Sequence, residues 1–147
     1  MVKKRIFLSL VLATAGYFLG IVAEATHGAD SVINMASCFI KILCYLIAVP
    51  LAHSAGKIIR KELNIIGFPG LRLVGWIMFG VAITHFVTFF IWTGGGSRLP
   101  DGQITIDSAM FFIASMFMIA EAWNSYKMEL IQKQKRINFS DESFHNY

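Results

Sequence analysis

The sequence predicts an all-α integral membrane protein, folded as a compact bundle of four transmembrane helices with both termini in the cytoplasm. The first observation is composition: 56% of the 147 residues are hydrophobic, 15% are charged, and the mean hydropathy is +0.60. Soluble domains carry nearer a quarter of charged residues, so an ordinary soluble domain and a disordered chain are both excluded. The other two observations are four long apolar runs and the segregation of basic residues between them.

Each apolar run is long enough to be a transmembrane helix. At 1.5 Å per residue, about 20 residues cross a hydrocarbon core about 30 Å thick. Because the runs lack the alternation of a membrane β-barrel, helices are the expected form. We predict one membrane-embedded domain over residues 1–137 and a polar, flexible cytoplasmic tail over 138–147. The four spans are predicted at about 6–25, 31–52, 73–92 and 108–126.

Basic residues lie almost entirely on one side of these spans. Thirteen Lys and Arg against nine Asp and Glu give a net charge of +4. All of the basic residues lie on that side except Arg98 on the other side and Lys41 within a span. The positive-inside rule therefore places both termini in the cytoplasm, and the plasma (inner) membrane of a bacterial-type cell is the expected location. This distribution favours a lipid bilayer over nucleic acid as the partner of the basic residues.

The first span has a second interpretation. A basic start at Lys3–Arg5, an apolar stretch and the sequence Ala23-Glu24-Ala25 also match a secretory signal with a small-x-small cleavage site. The apolar stretch is longer than a usual signal core, so a retained helix is expected. Cleavage would leave three spans without changing the orientation of the later ones.

The connection between the second and third spans is predicted to form a short interfacial helix. Ile59, Leu63 and Ile66 recur at helical spacing, and Gly67 ends the pattern. A basic amphipathic helix of this kind lies on the membrane surface. The residues expected to contact anionic phospholipid headgroups are Lys57, Arg60 and Lys61.

The connection before the fourth span contains turn signals. Pro100-Asp101-Gly102 predicts a turn, and residues 103–106 predict a short strand. Asp107 or Ser108 is then the expected N-cap of the fourth helix. Beyond the span, this helix is expected to continue to about Ile137.

Small residues form a stripe on the first span. Ala13, Gly16, Gly20 and Ala23 recur at spacings of three and four, which includes a small-xxx-small motif. Such a stripe lets two helices approach closely. The partner helix can belong to the same chain or to a second copy in a homo-oligomer, and the sequence leaves both open.

Lys41 is the most informative single residue, because it falls near the middle of the second span. An ammonium at that depth is costly unless it is paired or hydrated. It shares a helix face with Asn34 and Tyr45. Glu121 in the fourth span is a possible partner within the chain. Three interpretations stay open: a Lys41–Glu121 pair that fixes helix register, a proton or ion path, and pairing with an acidic residue of another membrane protein.

His85 in the third span also has several possible roles. A neutral imidazole hydrogen-bonded to a hydroxyl or carbonyl is the default, and a proton relay with Glu121 or Lys41 is an alternative. A bis-histidine haem site would need a second histidine at the same depth. His53 lies at the opposite end of its span, so haem is not the expected cofactor.

An acidic cluster with one histidine follows the first span. Glu24, His27 and Asp30 are spaced by three residues and offer oxygen and imidazole ligands for a divalent metal. A solvated turn with capping side chains is more frequent. The sequence therefore predicts no metal or other cofactor, with this cluster as the metal alternative.

The absence of a catalytic motif shapes the functional prediction. No nucleophile elbow is present, and Gly94-Gly95-Gly96 is not followed by the Lys-Ser/Thr of a phosphate loop. The leading hypothesis is a non-enzymatic accessory, assembly or regulatory subunit that associates through Lys41 and the small-residue stripe. The first alternative is a homo-oligomeric ion channel or proton-coupled transporter using Lys41, His85 and Glu121. The second is a membrane redox or metal-binding protein.

Overall fold

The computed structural model describes residues 1–26, 32–92 and 102–144. Within these ranges the chain is helical, without strands, and all four helices are long and apolar enough to cross a membrane. The prediction of four helices that are long and apolar enough to cross a membrane is therefore confirmed. The helices are α1 (Val2–Ala25), α2 (Val32–Glu62), α3 (Gly70–Trp92) and α4 (Gln103–Phe144).

The helices run antiparallel in an up-down-up-down bundle. α2 and α4 pack against each other and against α1, while α3 packs mainly on α4. Their contacts define two ends. At the basic end α1 begins, α2 ends and α3 begins. At the opposite end α1 ends and α4 begins.

Small and aromatic side chains fill the centre of the bundle. Tyr45 of α2 stacks on Phe111 of α4 with ring centroids 5.3 Å apart, and Phe79 of α3 meets the same ring edge-on. Alanines occupy several further interior positions, including Ala48 and Ala114, which are fully buried. Large apolar side chains instead cover the outside of the bundle, as expected of helices that face lipid.

The predicted separate interfacial helix is wrong, because α2 continues without a break to Glu62. The helix passes through Ser54, Ala55 and Gly56 without a break, and it packs on α1 and on α4. α2 ends where Asn64 adopts a left-handed conformation with φ of 55°. The amides of Asn64 and Ile65 bond to the carbonyls of the last turn, which is a Schellman motif.

The predicted strand at 103–106 is also wrong, since these residues form the first turn of α4. Gly102, with φ of 81°, precedes the helix, and its carbonyl accepts a bond from the amide of Ile106. Asp107 and Ser108 are therefore interior to α4 rather than caps. At its other end α4 runs to Phe144, beyond the predicted Ile137.

Both α2 and α4 continue past the ends of α1 and α3. Residues 57–62 of α2 lie beside residues 127–136 of α4, and a groove lined by Glu62, Glu129 and Lys133 separates them. We call this pair of segments the α2–α4 extension. It carries seven Lys or Arg and two Glu. The basic residues Lys57, Arg60 and Lys61, which predicted an interfacial helix, therefore belong to the α2–α4 extension.

Candidate functional site

Two clusters of polar side chains are buried between the helices, one toward each end of the bundle. The Lys41 cluster lies toward the opposite end, and the Arg72–Glu121 cluster lies toward the basic end. The Lys41 cluster comprises Glu24, Lys41, His85, Gln103, Asp107 and Ser108, and the Arg72–Glu121 cluster comprises His53, Arg72, Trp76, Glu121 and Ser125.

Lys41 is fully buried and points across the bundle toward α4. Its Nζ donates to Ser108 Oγ at 3.3 Å, and the ammonium lies 5.8 Å from the centre of the Phe86 ring. Ser108 Oγ in turn donates to the carbonyl of Ile104 at 2.6 Å. Lys41 therefore joins α2, α3 and α4, and it does not face a partner outside the chain.

Asp107 and His85 form the second part of this cluster. His85 Nδ1 lies 2.7 Å from Asp107 Oδ1, and Gln103 Nε2 donates to the same oxygen at 3.2 Å. The Asp107 side chain is 1% exposed, whereas that of His85 is 31% exposed. His85 thus bonds to a carboxylate that the sequence analysis had named only as a helix cap. The cluster combines a buried ammonium, a buried carboxylate and a partly accessible imidazole.

The small-residue stripe of α1 leaves the space that the Lys41 cluster and Tyr45 occupy. Ala13, Gly16, Gly20 and Ala23 are all buried against the chain's own helices. A methyl group at Gly20 would lie 2.0 Å from Ser108 Oγ, and one at Gly16 would lie 2.9 Å from the Tyr45 ring. Of the two partners left open, the structure places the same chain against this stripe.

Asn34 and Tyr45, which share the Lys41 face of α2, also bond within the bundle. Asn34 Nδ2 donates to the carbonyl of Ala23 at 2.6 Å, and the Tyr45 hydroxyl donates to the carbonyl of Ser108 at 3.3 Å. These bonds tie α2 to the end of α1 and to α4. The polar face of α2 is therefore directed at its neighbours along its length.

Glu24 caps the N-terminus of α4. Its Oε1 accepts from the Gly102 amide at 2.6 Å, and its Oε2 accepts from the Thr105 amide at 3.1 Å. A carboxylate here satisfies free amides and interacts favourably with the helix dipole. His27 and Asp30, the other two predicted metal ligands, lie outside the described residues. Within the described part of the chain no group of three His, Cys, Asp or Glu side chains could hold a metal.

We expect Glu24→Ala to lower the free energy of unfolding by about 0.5–2 kcal/mol, the usual effect of losing an N-cap. Glu24→Gln retains an acceptor oxygen and should lose less. Chemical unfolding in detergent micelles measures both. A loss that disappears after chelation of divalent metal would instead favour the metal alternative.

Arg72 and Glu121 form a buried ion pair that the sequence does not predict. Arg72 donates through Nη2 and Nε to Glu121 Oε2, at 2.9 and 3.2 Å. Ser125 Oγ donates to Glu121 Oε1 at 2.9 Å, so both carboxylate oxygens are bonded. Gly56 of α2 leaves room for the ion pair, because a methyl group at that position would lie 2.2 Å from Glu121 Oε2.

The structure does not bring Lys41 and Glu121 together. α4 begins at Gln103 rather than at residue 108, which moves Glu121 toward the basic end. Lys41 contacts Ser108, and Glu121 lies thirteen residues further along α4, or about 20 Å. Phe111 and Met118, both buried, occupy the interval. Lys41, His85 and Glu121 therefore do not form one continuous polar path among the described residues.

His53 belongs to the basic end. Trp76 Nε1 donates to His53 Nδ1 at 3.1 Å, and the two rings meet edge-on. Trp76 precedes His85 by nine residues of α3, or about 14 Å. The two histidines considered for haem are thus at different levels of the bundle.

The three predicted headgroup residues lie on the α2–α4 extension. Lys57 and Lys61 are exposed, whereas Arg60 is half-buried and donates to the carbonyl of Gly67 at 3.3 Å. Arg72, which belongs to the same basic group in the sequence, is turned into the bundle. The exposed charge at the basic end is therefore smaller than the sequence suggests.

Comparisons with known proteins identify no relative of this chain. No protein-family model, curated protein or solved structure matches the chain. The functional interpretation therefore depends on the two clusters, the α2–α4 extension and the outer surface of the bundle.

Proposed function

We propose that the chain is a small non-enzymatic subunit of a larger membrane complex, with an accessory, assembly or regulatory role. In this proposal the protein lies in the plasma membrane of a bacterial-type cell. Both termini lie in the cytoplasm, because the basic residues concentrate at the end of the bundle that carries them. The partner contact differs from the one that the sequence suggested. Lys41 and the small-residue stripe are buried within the chain and are not available to another protein.

The α2–α4 extension is the feature that carries the proposal. Met128, Leu130 and Ile131 of α4 are 38%, 47% and 55% exposed. They follow Glu121 by seven to ten residues, or about 10–15 Å, so they lie where α1 and α3 no longer cover α4. Apolar side chains exposed on a helix that projects from a bundle are typical of a protein-binding surface.

The alternative is a homo-oligomeric channel or a proton-coupled transporter. The observation in its favour is the Lys41 cluster, since ionisable side chains within a membrane often mark ion or proton paths. The buried side chains of Phe111 and Met118 count against a path that includes Glu121, and the Ser115 hydroxyl between them already donates to the Phe111 carbonyl. The bonding of Glu121 to Arg72 and Ser125 also gives that carboxylate a structural role.

Purification from the native membrane in a mild detergent tests the proposal. We expect another membrane protein to co-purify in stoichiometric amount with the tagged chain. The double variant Leu130→Ser, Ile131→Ser should lower the amount of that partner at least tenfold. Quantitative mass spectrometry of the purified fraction measures the ratio.

Val32→Ser is the matched control, because Val32 is an exposed apolar residue at the opposite end of α2. It should leave the partner ratio unchanged. A chain that purifies alone, with every variant behaving alike, would contradict the subunit proposal. A discrete homo-oligomer that conducts protons or ions after reconstitution would instead support the alternative.

A further inference from the structure

A groove of about 450 Å³ opens on the outer surface of the bundle between α1 and α4. It is separate from both polar clusters and from the α2–α4 extension. Ile6 and Ile119, 4% and 6% exposed, form its floor. Its volume is within the range of small-ligand sites, about 300–1,000 Å³.

The groove has an apolar lining throughout, and the exposed residue Lys3 borders it at the basic end. α1 contributes Lys3, Phe7 and Leu10, and antiparallel α4 contributes Trp123 and Met116. Lys3 and Trp123 lie toward the basic end, while Leu10 and Met116 lie about 10 Å deeper along each helix. Ala120, one turn from both Met116 and Trp123, leaves the space between their larger side chains.

This arrangement matches the chemistry of a phospholipid better than that of a transmembrane helix. An apolar groove along two helices suits an acyl chain, and the lysine that borders it is complementary to a phosphate. Trp123 is suited to the boundary between headgroups and acyl chains, where tryptophan is enriched. Lys127 follows Trp123 by one turn on the same face of α4 and adds a second cation at the basic end of the groove.

We propose that the α1–α4 groove binds one acyl chain of an anionic phospholipid, with its phosphate against Lys3. The acyl chain lies over Ile6 and Ile119 and passes Ala120 between Phe7 and Met116. The binding site therefore selects the lipid by its headgroup charge near Lys3 and by the apolar lining that receives the acyl chain. It differs from the headgroup contacts expected of Lys57 and Lys61, which lie on α2, whereas this groove lies between α1 and α4.

Native mass spectrometry of the detergent-purified full-length chain provides the first test. The protein is titrated with phosphatidylglycerol and with phosphatidylcholine that carry identical acyl chains. We expect one tightly bound phosphatidylglycerol and at least fivefold weaker binding of phosphatidylcholine. Lys3→Gln should weaken phosphatidylglycerol binding about fivefold, the effect of one lysine near an anionic headgroup. Ala120→Leu should abolish tight binding of both lipids.

Matched controls separate the groove from general surface effects. Lys4→Gln removes a neighbouring charge that does not line the groove, and Ala36→Leu adds the same bulk to an exposed position on α2. Both should bind phosphatidylglycerol as the unmodified chain does. Equal affinity for the two lipids, or equal effects of Lys3→Gln and Lys4→Gln, would overturn the proposal.

Quenching of Trp123 fluorescence gives a readout that is independent of mass spectrometry. A Trp76→Phe, Trp92→Phe background leaves Trp123 as the single tryptophan of the chain. Phosphatidylglycerol with a brominated acyl chain should quench this tryptophan at a lower lipid fraction than brominated phosphatidylcholine does. Identical quenching curves for the two lipids, or a protein segment cross-linked to Ala120 in the native membrane, would contradict the lipid assignment.

Discussion

Glu121→Leu is expected to lower the free energy of unfolding by about 3–5 kcal/mol. The substitution leaves the Arg72 guanidinium buried without its carboxylate, and an unpaired buried charge has about this cost. Arg72 and Glu121 are 6% and 4% exposed in their side chains, so water cannot readily replace the lost partner. Denaturant titration in mixed micelles, followed by circular dichroism, measures the change.

The double variant Arg72→Met, Glu121→Leu should recover most of this loss, because neither charge then remains in the bundle. Lys133→Gln provides a control, since it breaks the Glu129–Lys133 pair of the α2–α4 extension, whose lysine side chain is 66% exposed. That variant should leave stability nearly unchanged. If Glu121→Leu behaved like Lys133→Gln, Arg72 would have access to water and the buried-pair assignment would be wrong.

Gly20→Ala is expected to destabilise the bundle by about 1–3 kcal/mol, the usual range for overpacking. The added methyl group would lie 2.0 Å from Ser108 Oγ and 2.6 Å from Ser108 Cβ, so α1 must move away from α4. Because Ser108 also bonds to Lys41, this movement disturbs the Lys41 cluster. Unfolding measured under the same conditions as for Glu121→Leu reports the loss.

Gly80→Ala is the matched control for Gly20→Ala. Apart from the neighbouring backbone of its own helix, no atom of the described residues lies within 4 Å of a methyl group at Gly80, which is also helical. Its stability should stay the same or rise slightly, because alanine favours a helix over glycine. Combining Gly20→Ala with Ser108→Gly should restore part of the lost stability. A loss of equal size in both glycine variants would show that helix propensity, rather than the α1–α4 contact, determines the effect.

The burial of polar residues along α4 is only partly visible in the sequence. Ser108, Ser115 and Glu129 recur at intervals of seven and fourteen residues, and all three are buried. That spacing places them on one face of a helix and predicts a face directed at neighbouring helices. It does not say which of the charged residues nearby share this face, so the sequence predicts Asp107 only as a cap and predicts no partner for Arg72.

The number, type and approximate position of the helices follow from the sequence alone. A run of about 20 apolar residues has one stable form in a bilayer, because a helix satisfies its backbone hydrogen bonds within the segment. The small-residue stripe from Ala13 to Ala23 similarly requires a close helix contact wherever its partner is found. These conclusions depend on local length and spacing, which the sequence contains directly.

The pairing of the buried charges was decided only by the tertiary structure. A shift of five residues in the start of α4 moves Glu121 by about 7.5 Å, which is enough to change its partner from Lys41 to Arg72. The rotation of each helix then determines whether a given side chain meets lipid, a neighbouring helix or a groove. Both quantities arise from the packing of all four helices together, because an ion pair forms only where two side chains share the same level and the same face.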